Sequence, residues 1–399
     1  MRRLNIVMVC GIALLLAAGG PSSHAVRAVD GDEGTQPSVE SVRIRPVENQ
    51  PEQTLEGAVI VEALDGGLLL ELADQRLVVV DPATIIVRQK VDRPEAAETS
   101  RELGRRILAE LPAGFDQFGT KHYVICFDTS RAYAQWCGSL FERLHDAFSN
   151  FWRQAGLELH APERPLVVVI FSDRQRYEAF AARDLGAAAD RVVGYYNLLS
   201  NRVTTFDLTG SDTLARRPAR SGGRSAGRAG LEILAQPEAA GLVATLVHEA
   251  THQMAYNCGM HRRLAPVPLW VSEGVATYFE TPDLASDRGW RGIGGVNRPR
   301  LEKFLATQRL GMLETIVLDD EPFRRPDEAL DAYARSWALT YFLAQTRKDA
   351  FVAYLQKLSQ REPLAADSPD SRRQDFTDAF GAPPAAFEEP LLKFMARLR

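Results

Sequence analysis

Gly241-Leu242-Val243-Ala244-Thr245-Leu246-Val247-His248-Glu249-Ala250-Thr251-His252-Gln253-Met254-Ala255-Tyr256 is the stretch on which the reading of this chain turns. It is apolar and helix-forming, with Pro237 and Gly241 upstream and a stop at Asn257 to Gly259. On a helix, positions i and i+4 share one face, one turn apart. His248 and His252 can therefore reach a single Zn²⁺. Glu249, one residue further round, can touch a metal-bound water without ligating the metal. With 7 His in the chain, chance matches to this pattern are expected on the order of 0.01 times. The competing reading is two histidines satisfied in a packing face, with Glu249 in solvent.

The downstream residues decide which third ligand is available. Ala255 and Cys258 stand where a metzincin needs Gly and His, so that pattern is excluded. His261 follows the Asn257-Cys258-Gly259 break and reads as a surface histidine. Cys258 can be a metal ligand, but reads better as a small buried hydrophobe. A second helix is predicted over Pro268-Leu269-Trp270-Val271-Ser272-Glu273-Gly274-Val275-Ala276-Thr277-Tyr278-Phe279-Glu280, with Pro266 and Pro268 at its start. Glu273 and Thr277 share one face, and Glu280 lies a further turn on. Packed on the first helix, this one can present Glu273 to the metal. Two His and one Glu leave a coordination position for water, as a catalytic site requires.

HExxH followed by Trp270-x-x-Glu273-Gly274-x-Ala276 resembles the gluzincins, the thermolysin- and aminopeptidase-like metallopeptidases of the peptidase MA clan. The stretch from about 120 to 399 is also similar to a secreted peptidase-MA-like family whose substrates are largely unassigned. The resemblance implies His248, His252 and Glu273 as zinc ligands and Glu249 as base and proton shuttle. It also implies a tyrosine donor to the developing oxyanion, and Tyr333, before Ser336 and a long apolar run, matches that place. A half-buried core tyrosine is the equal alternative. No Gly-x-Met-Glu-Asn motif lies upstream, which argues against the aminopeptidases of the clan. Thr277 and Glu280 are candidates to accept from the ligand histidines, with a solvated helix-end carboxylate the preferred reading for Glu280. Arg335 reads as facing water.

The chain has 399 residues, 45% hydrophobic and 25% charged, with net charge −5, which suits two or three globular units. No broad basic face supports nucleic-acid binding. Arg2 and Arg3 precede an apolar run to Ala18, and Ser23-His24-Ala25 offers a cleavage site. Residues 1–25 therefore read as a signal peptide, too short for a comfortable span, so the mature protein is expected to be exported, periplasmic or extracellular, with no stable membrane span. A retained anchor is the alternative. Of the remaining Cys126, Cys137 and Cys258, the first two can pair between a strand and the following helix.

Residues 26–53 read as a flexible leader. Short apolar runs from Thr54, punctuated by Asp65-Gly66-Gly67 and Asp81-Pro82, predict a small β-barrel-like module over 54–93. Residues 94–399 form the catalytic domain. Strands are expected at 122–128, 165–171, 192–197 and 202–208, the last two as a hairpin through 198–201. A long core helix carries Tyr133, Trp136, Leu140, Leu144, Phe148, Phe151 and Trp152. Gly194-Tyr195-Tyr196 is the candidate edge strand for pairing with an extended peptide. Residues 210–230 form a mobile Arg- and Gly-rich loop, and helices are expected at 301–310, 333–358 and 387–398. The fold class is α+β, and the resemblance implies a thermolysin-like zincin with a mixed-sheet lobe and a helical lobe. The expected function is an exported zinc endopeptidase acting on protein or peptide. A non-catalytic zinc scaffold, or a hydrolase of a non-peptide amide, is the alternative.

Overall fold

Two sheets and a set of helices make a mixed α+β architecture. The computed structural model describes residues 26–28, 38–45, 51–91, 98–210, 239–281 and 293–398. The expected signal peptide, 1–25, and all but the first residue of the expected Arg- and Gly-rich loop, 210–230, lie outside them.

The first sheet has strands β1 (Val26–Ala28), β2 (Val39–Ile44), β3 (Gln53–Ala63), β4 (Leu68–Leu72), β5 (Leu77–Val80) and β6 (Ile85–Lys90). They run in the order β5-β4-β3-β2-β6, with β1 on β3, and all pairings are antiparallel. Two expectations need correction. Strands β1 and β2 fall within 26–53, which had read as a leader. In β2, Val42 and Ile44 alternate into the module's core with Val59, Leu68, Leu70 and Val80, a period-2 signal short enough to be masked by its charged neighbours. Nor do the described strands close a barrel. The edge strands β5 and β6 are joined by only Asp81 and a 3₁₀ turn, Pro82–Thr84. A flat five-strand path would separate them by about 19 Å, more than the five peptide steps from Val80 to Ile85 can span at roughly 17 Å. The sheet is therefore curled, but its hydrogen-bond ladder stays open.

The second sheet has β7 (Asp116–Gly119), β8 (Tyr123–Phe127), β9 (Leu166–Phe171), β10 (Gly194–Asn197) and β11 (Arg202–Phe206), in the order β10-β11-β9-β8-β7. Strands β8, β9 and β11 are parallel; β7 and β10 are antiparallel edges. Every residue of β8 and β9 is buried, the near-continuous apolar run that a parallel strand covered on both faces requires. The hairpin at 198–201 is present, with Asn201 at φ +58°. Helices α1 (Ser100–Glu110), α2 (Arg131–Ala155) and α3 (Arg174–Leu185) pack on this sheet. Helix α2 is the expected aromatic core helix, begun by Ser130 as N-cap and ended by Gly156 in the left-handed conformation.

The motif helix α4 (Ala240–Asn257) lies against β10, β11 and α2. Beyond it come α5 (Leu269–Phe279), α6 (Arg298–Ala306), α7 (Met312–Leu318), α8 (Glu321–Arg324), α9 (Ala329–Thr346), α10 (Lys348–Ser359), α11 (Pro369–Phe380) and α12 (Glu388–Ala396). The single helix expected over 333–358 is two. Arg347, at φ −141° and ψ 38°, breaks it. Among the described residues no helix is long and apolar enough to cross a membrane.

Cys126 and Cys137 are separate buried thiols, as is Cys258, so the disulfide considered for the first pair is not formed. Cys126 sits in β8 and Cys137 in α2, each inside the apolar core, and burial pushes the Cys126 thiol up to about 12.

Helix α5 touches both α4 and α9, and Gly274 sets how closely. A Cβ there would lie 2.1 Å from Thr340 Oγ1 and 3.0 Å from the Ser336 carbonyl oxygen. Gly274→Ala should therefore destabilise the protein by about 1–3 kcal/mol through overpacking, measured by urea unfolding. Unchanged stability would show that the helix contact is looser than described.

Candidate metal centre

Helix α4 is buried on every side through its middle. Leu242, Val243, Leu246, Val247, Ala250 and Met254 supply the apolar contacts, yet Thr245, His248, Glu249, Thr251, His252 and Gln253 are also buried. Buried polar groups need partners. Thr251 Oγ1 donates to the Val247 carbonyl in its own helix. Gln253 Nε2 donates to the carbonyls of Val167 and Asn201. The histidines and Glu249 find theirs on other elements.

Helix α5 brings Glu273 to the histidines. Its Oε2 lies 3.1 Å from His248 Nε2 and 3.4 Å from His252 Nε2, and the two Nε2 atoms are 3.0 Å apart. Each of the three residues is at most 1% exposed. One proton cannot satisfy two imidazole nitrogens and a carboxylate converging on one point. Donors bound at 2.0–2.1 Å with tetrahedral angles would lie about 3.3 Å apart, which matches this triangle. Among the described residues, His248, His252 and Glu273 are the group that could hold a metal ion. The spacing of HExxH and Glu273 thus brings together in space what it implied in sequence.

Glu280 corrects the solvent-facing reading. It ends α5 buried, and His248 Nδ1 donates to its Oε1 at 2.8 Å. Arg300 of α6 donates to both of its oxygens, and Asn297 Nδ2 to Oε2. This carboxylate fixes the tautomer and ring plane of His248, leaving Nε2 aimed at Glu273. Nothing in the sequence marked Arg300 or Asn297. Asn297 caps α6, so only its helix-start pattern was visible.

The charges settle each other. Burial opposes a charge on His248, but Glu273 and Glu280 outweigh it and raise the ring to about 10. Burial would raise Glu273, but the imidazoles of His252 and His248 pull it down to about 2. Glu249 lies beside this triangle, within electrostatic reach of His248, His252 and Glu273. Burial raises its carboxyl above the ordinary range, and its Oε2 accepts from the backbone N–H of Tyr196 on the edge strand β10 at 2.8 Å. The candidate edge Gly194-Tyr195-Tyr196 is therefore at a sheet edge and in contact with the candidate base. Neither phenol is aimed at the histidines: Tyr195 donates to Asp184 and Tyr196 to Asn201.

Tyr333, in the second turn of α9, stands edge-on to His248 with ring centroids 6.3 Å apart, and Arg300 lies over its face at 5.5 Å. Three other readings change. Thr277 Oγ1 donates to carbonyls of its own helix, Glu273 and Gly274, and does not serve the histidines. His261 is 2% exposed, packed beside Tyr256 at 5.3 Å, and burial lowers its ring to about 3. The chain turns inward after Gly259, with His261 N–H bonded back to the Ala255 carbonyl, which a break signal cannot reveal. Arg335 is also buried, 3.6 Å from Asp331. Cys258 is a buried hydrophobe, as expected.

Residues 242–365, from the first turns of α4 to just past α10, match a family described as a protein of unknown function, DUF1570. The match covers the helices that carry His248, His252, Glu273, Glu280, Arg300 and Tyr333, and the description assigns no activity. No curated protein matches the chain.

A metal must displace the proton that Glu273 and Glu280 hold on His248. Zinc affinity should therefore fall about tenfold for each unit of pH lost below about 10 from this proton alone, read by calorimetry in buffers of differing ionisation enthalpy. No proton release at pH 7 would contradict the arrangement. Glu280→Ala, which frees Nδ1, should weaken zinc binding about 10–100-fold by competition with a chromophoric chelator, and an unaltered constant would remove Glu280 from the centre.

Proposed function

We propose that this protein is an exported zinc metallopeptidase of the gluzincin type, hydrolysing internal bonds of a protein or peptide. One observation carries the reading. Glu273 closes a triangle with His248 and His252, and the adjacent Glu249 is held by an edge-strand amide. The donor set of two imidazoles and one carboxylate suits zinc and is of the catalytic kind, with three protein ligands. Bound there, zinc supplies Lewis acidity and makes a water nucleophilic near neutral pH.

The chain's own residues do the rest. Glu249 is buried and its carboxyl raised, so it is poised to take a proton from the attacking water and deliver it to the leaving amine nitrogen. The water oxygen bonds to the carbonyl carbon as the C–N bond breaks, and the two products are a carboxylate and an amine. Tyr333 is the candidate donor to the carbonyl oxygen as it gains negative charge. The outer edge of β10 offers backbone groups to an extended substrate, with Gly194 two residues before Tyr196 and so on the same edge. The mixed sheet, with its antiparallel edge strand β10 beside the motif helix, supports the thermolysin-like zincin reading.

Glu249→Gln tests this directly. Zinc content should stay near one per chain while cleavage of casein or a peptide library falls about 10²–10⁴-fold. Zinc-loaded wild type that cleaves no peptide would reject the peptidase. Turnover of small amides without peptides would point to another hydrolase, and no turnover at all to a scaffold.

A further inference from the structure

One polar turn carries much of the contact between the curled N-terminal sheet and the rest of the chain. Between β4 and β5, Ala73-Asp74-Gln75-Arg76 reaches into the catalytic unit, and Asp74 and Gln75 are 2% and 5% exposed. The Asp74 carboxylate binds Arg202 of β11, which also pairs with Glu110 of α1. Arg164 donates to the Ala73 carbonyl, and Arg263 to the Gln75 carbonyl at 2.6 Å. Among the described residues, a small apolar cluster of Ile60, Val61, Leu69 and Leu77 with Leu199 and Leu264 adjoins this seam. Beside it lies a cavity of about 450 Å³ lined by Glu71, Gln75, Tyr256, His261 and Arg263 among others. Polar bonds, more than packing, set how the two parts fit.

Gln75 has φ +69°, a conformation that favours Gly or Asn in a hairpin turn. A Gln there must contribute through its side chain. Nε2 donates to the Pro165 carbonyl at the start of β9, and Oε1 accepts from Asn201 Nδ2. Asn201, itself at φ +58°, exchanges two hydrogen bonds with Asn257, the last residue of the motif helix. It also accepts from Tyr196 Oη. The Tyr196 backbone N–H then holds Glu249. A continuous run of hydrogen bonds thus leads from the turn of the N-terminal module to the candidate base.

We infer that Gln75 is a positioning residue, registering strand β10 against the motif helix so that the Tyr196 amide holds Glu249 in place. The module is then part of the catalytic unit and not an independent docking domain. The consequence for turnover rests on the peptidase reading; the linkage itself does not.

Gln75→Gly separates the two roles of this position, because glycine keeps the turn and removes the amide. In the full-length, zinc-loaded chain, hydrogen exchange over 194–201 should speed up tenfold or more, while 123–127 and 166–171 stay unchanged. On a peptide substrate kcat should fall tenfold or more with KM within about twofold. Gln75→Met, equal in length and lacking the amide, carries the same comparison if the glycine variant does not fold. Unchanged exchange over 194–201 would overturn the inference. If wild type cleaves no peptide, the peptidase reading fails, while faster exchange still upholds the linkage and unchanged exchange still rejects it.

Discussion

A helix buried on every side cannot carry ionisable groups unless its neighbours answer each one. This constraint organises the centre of the molecule. Helix α4 brings two imidazoles and a carboxylate into a region without solvent, where an isolated charge is far too costly to keep. The answer comes from three directions: Glu273 and Glu280 from α5, Arg300 and Asn297 from the start of α6, and the Tyr196 amide from the edge of the sheet. Remove any of these and the buried polar network is answered less completely. The arrangement is as much a condition for burying α4 as for bringing together a group that could hold a metal ion.

The close approach of α5 to α9 belongs to the same constraint. Gly274 follows Glu273 directly, and its missing side chain lets α9 settle against α5. That settling places Tyr333 and α6 around the same point. One glycine beside one candidate ligand thus couples the position of Glu273 to the packing of the helical half. The buried aromatic layer of Trp270, Tyr354 and Phe376 holds the far side of α5.

How much of this was legible in the sequence depended on how local the signal was. HExxH and Glu273 lie on two helices whose apolar spacing and punctuation are explicit, so their meeting could be expected. Strands β8 to β11 showed as apolar runs, and Gly194-Tyr195-Tyr196, read as the candidate edge, does lie in the edge strand β10. What failed to show depends on contacts far apart in the chain. Nothing around Arg300 indicates that it will be buried against Glu280. His261 and Arg335 carry polar side chains into the interior because of where α4 and α9 happen to pack. The strand β2 was hidden because Glu40, buried against Arg88, takes a place on its inner face where an apolar residue would signal the period, and Arg347 breaks a run whose apolar pattern continues straight across it.

The clamp on the Gln75 turn joins residues far apart along the chain: Asn201 lies 126 positions on, and Arg263 lies 188. Contacts of such separation close large loops and form late in folding. The small sheet, with its own apolar core, can be complete before the rest of the chain is made, since synthesis proceeds from the amino end. It then stands as a template on which the later-arriving hairpin and motif helix find their register. The order of synthesis and the order of assembly coincide, so the candidate base would be fixed in place only after the chain as far as Arg263 has been made.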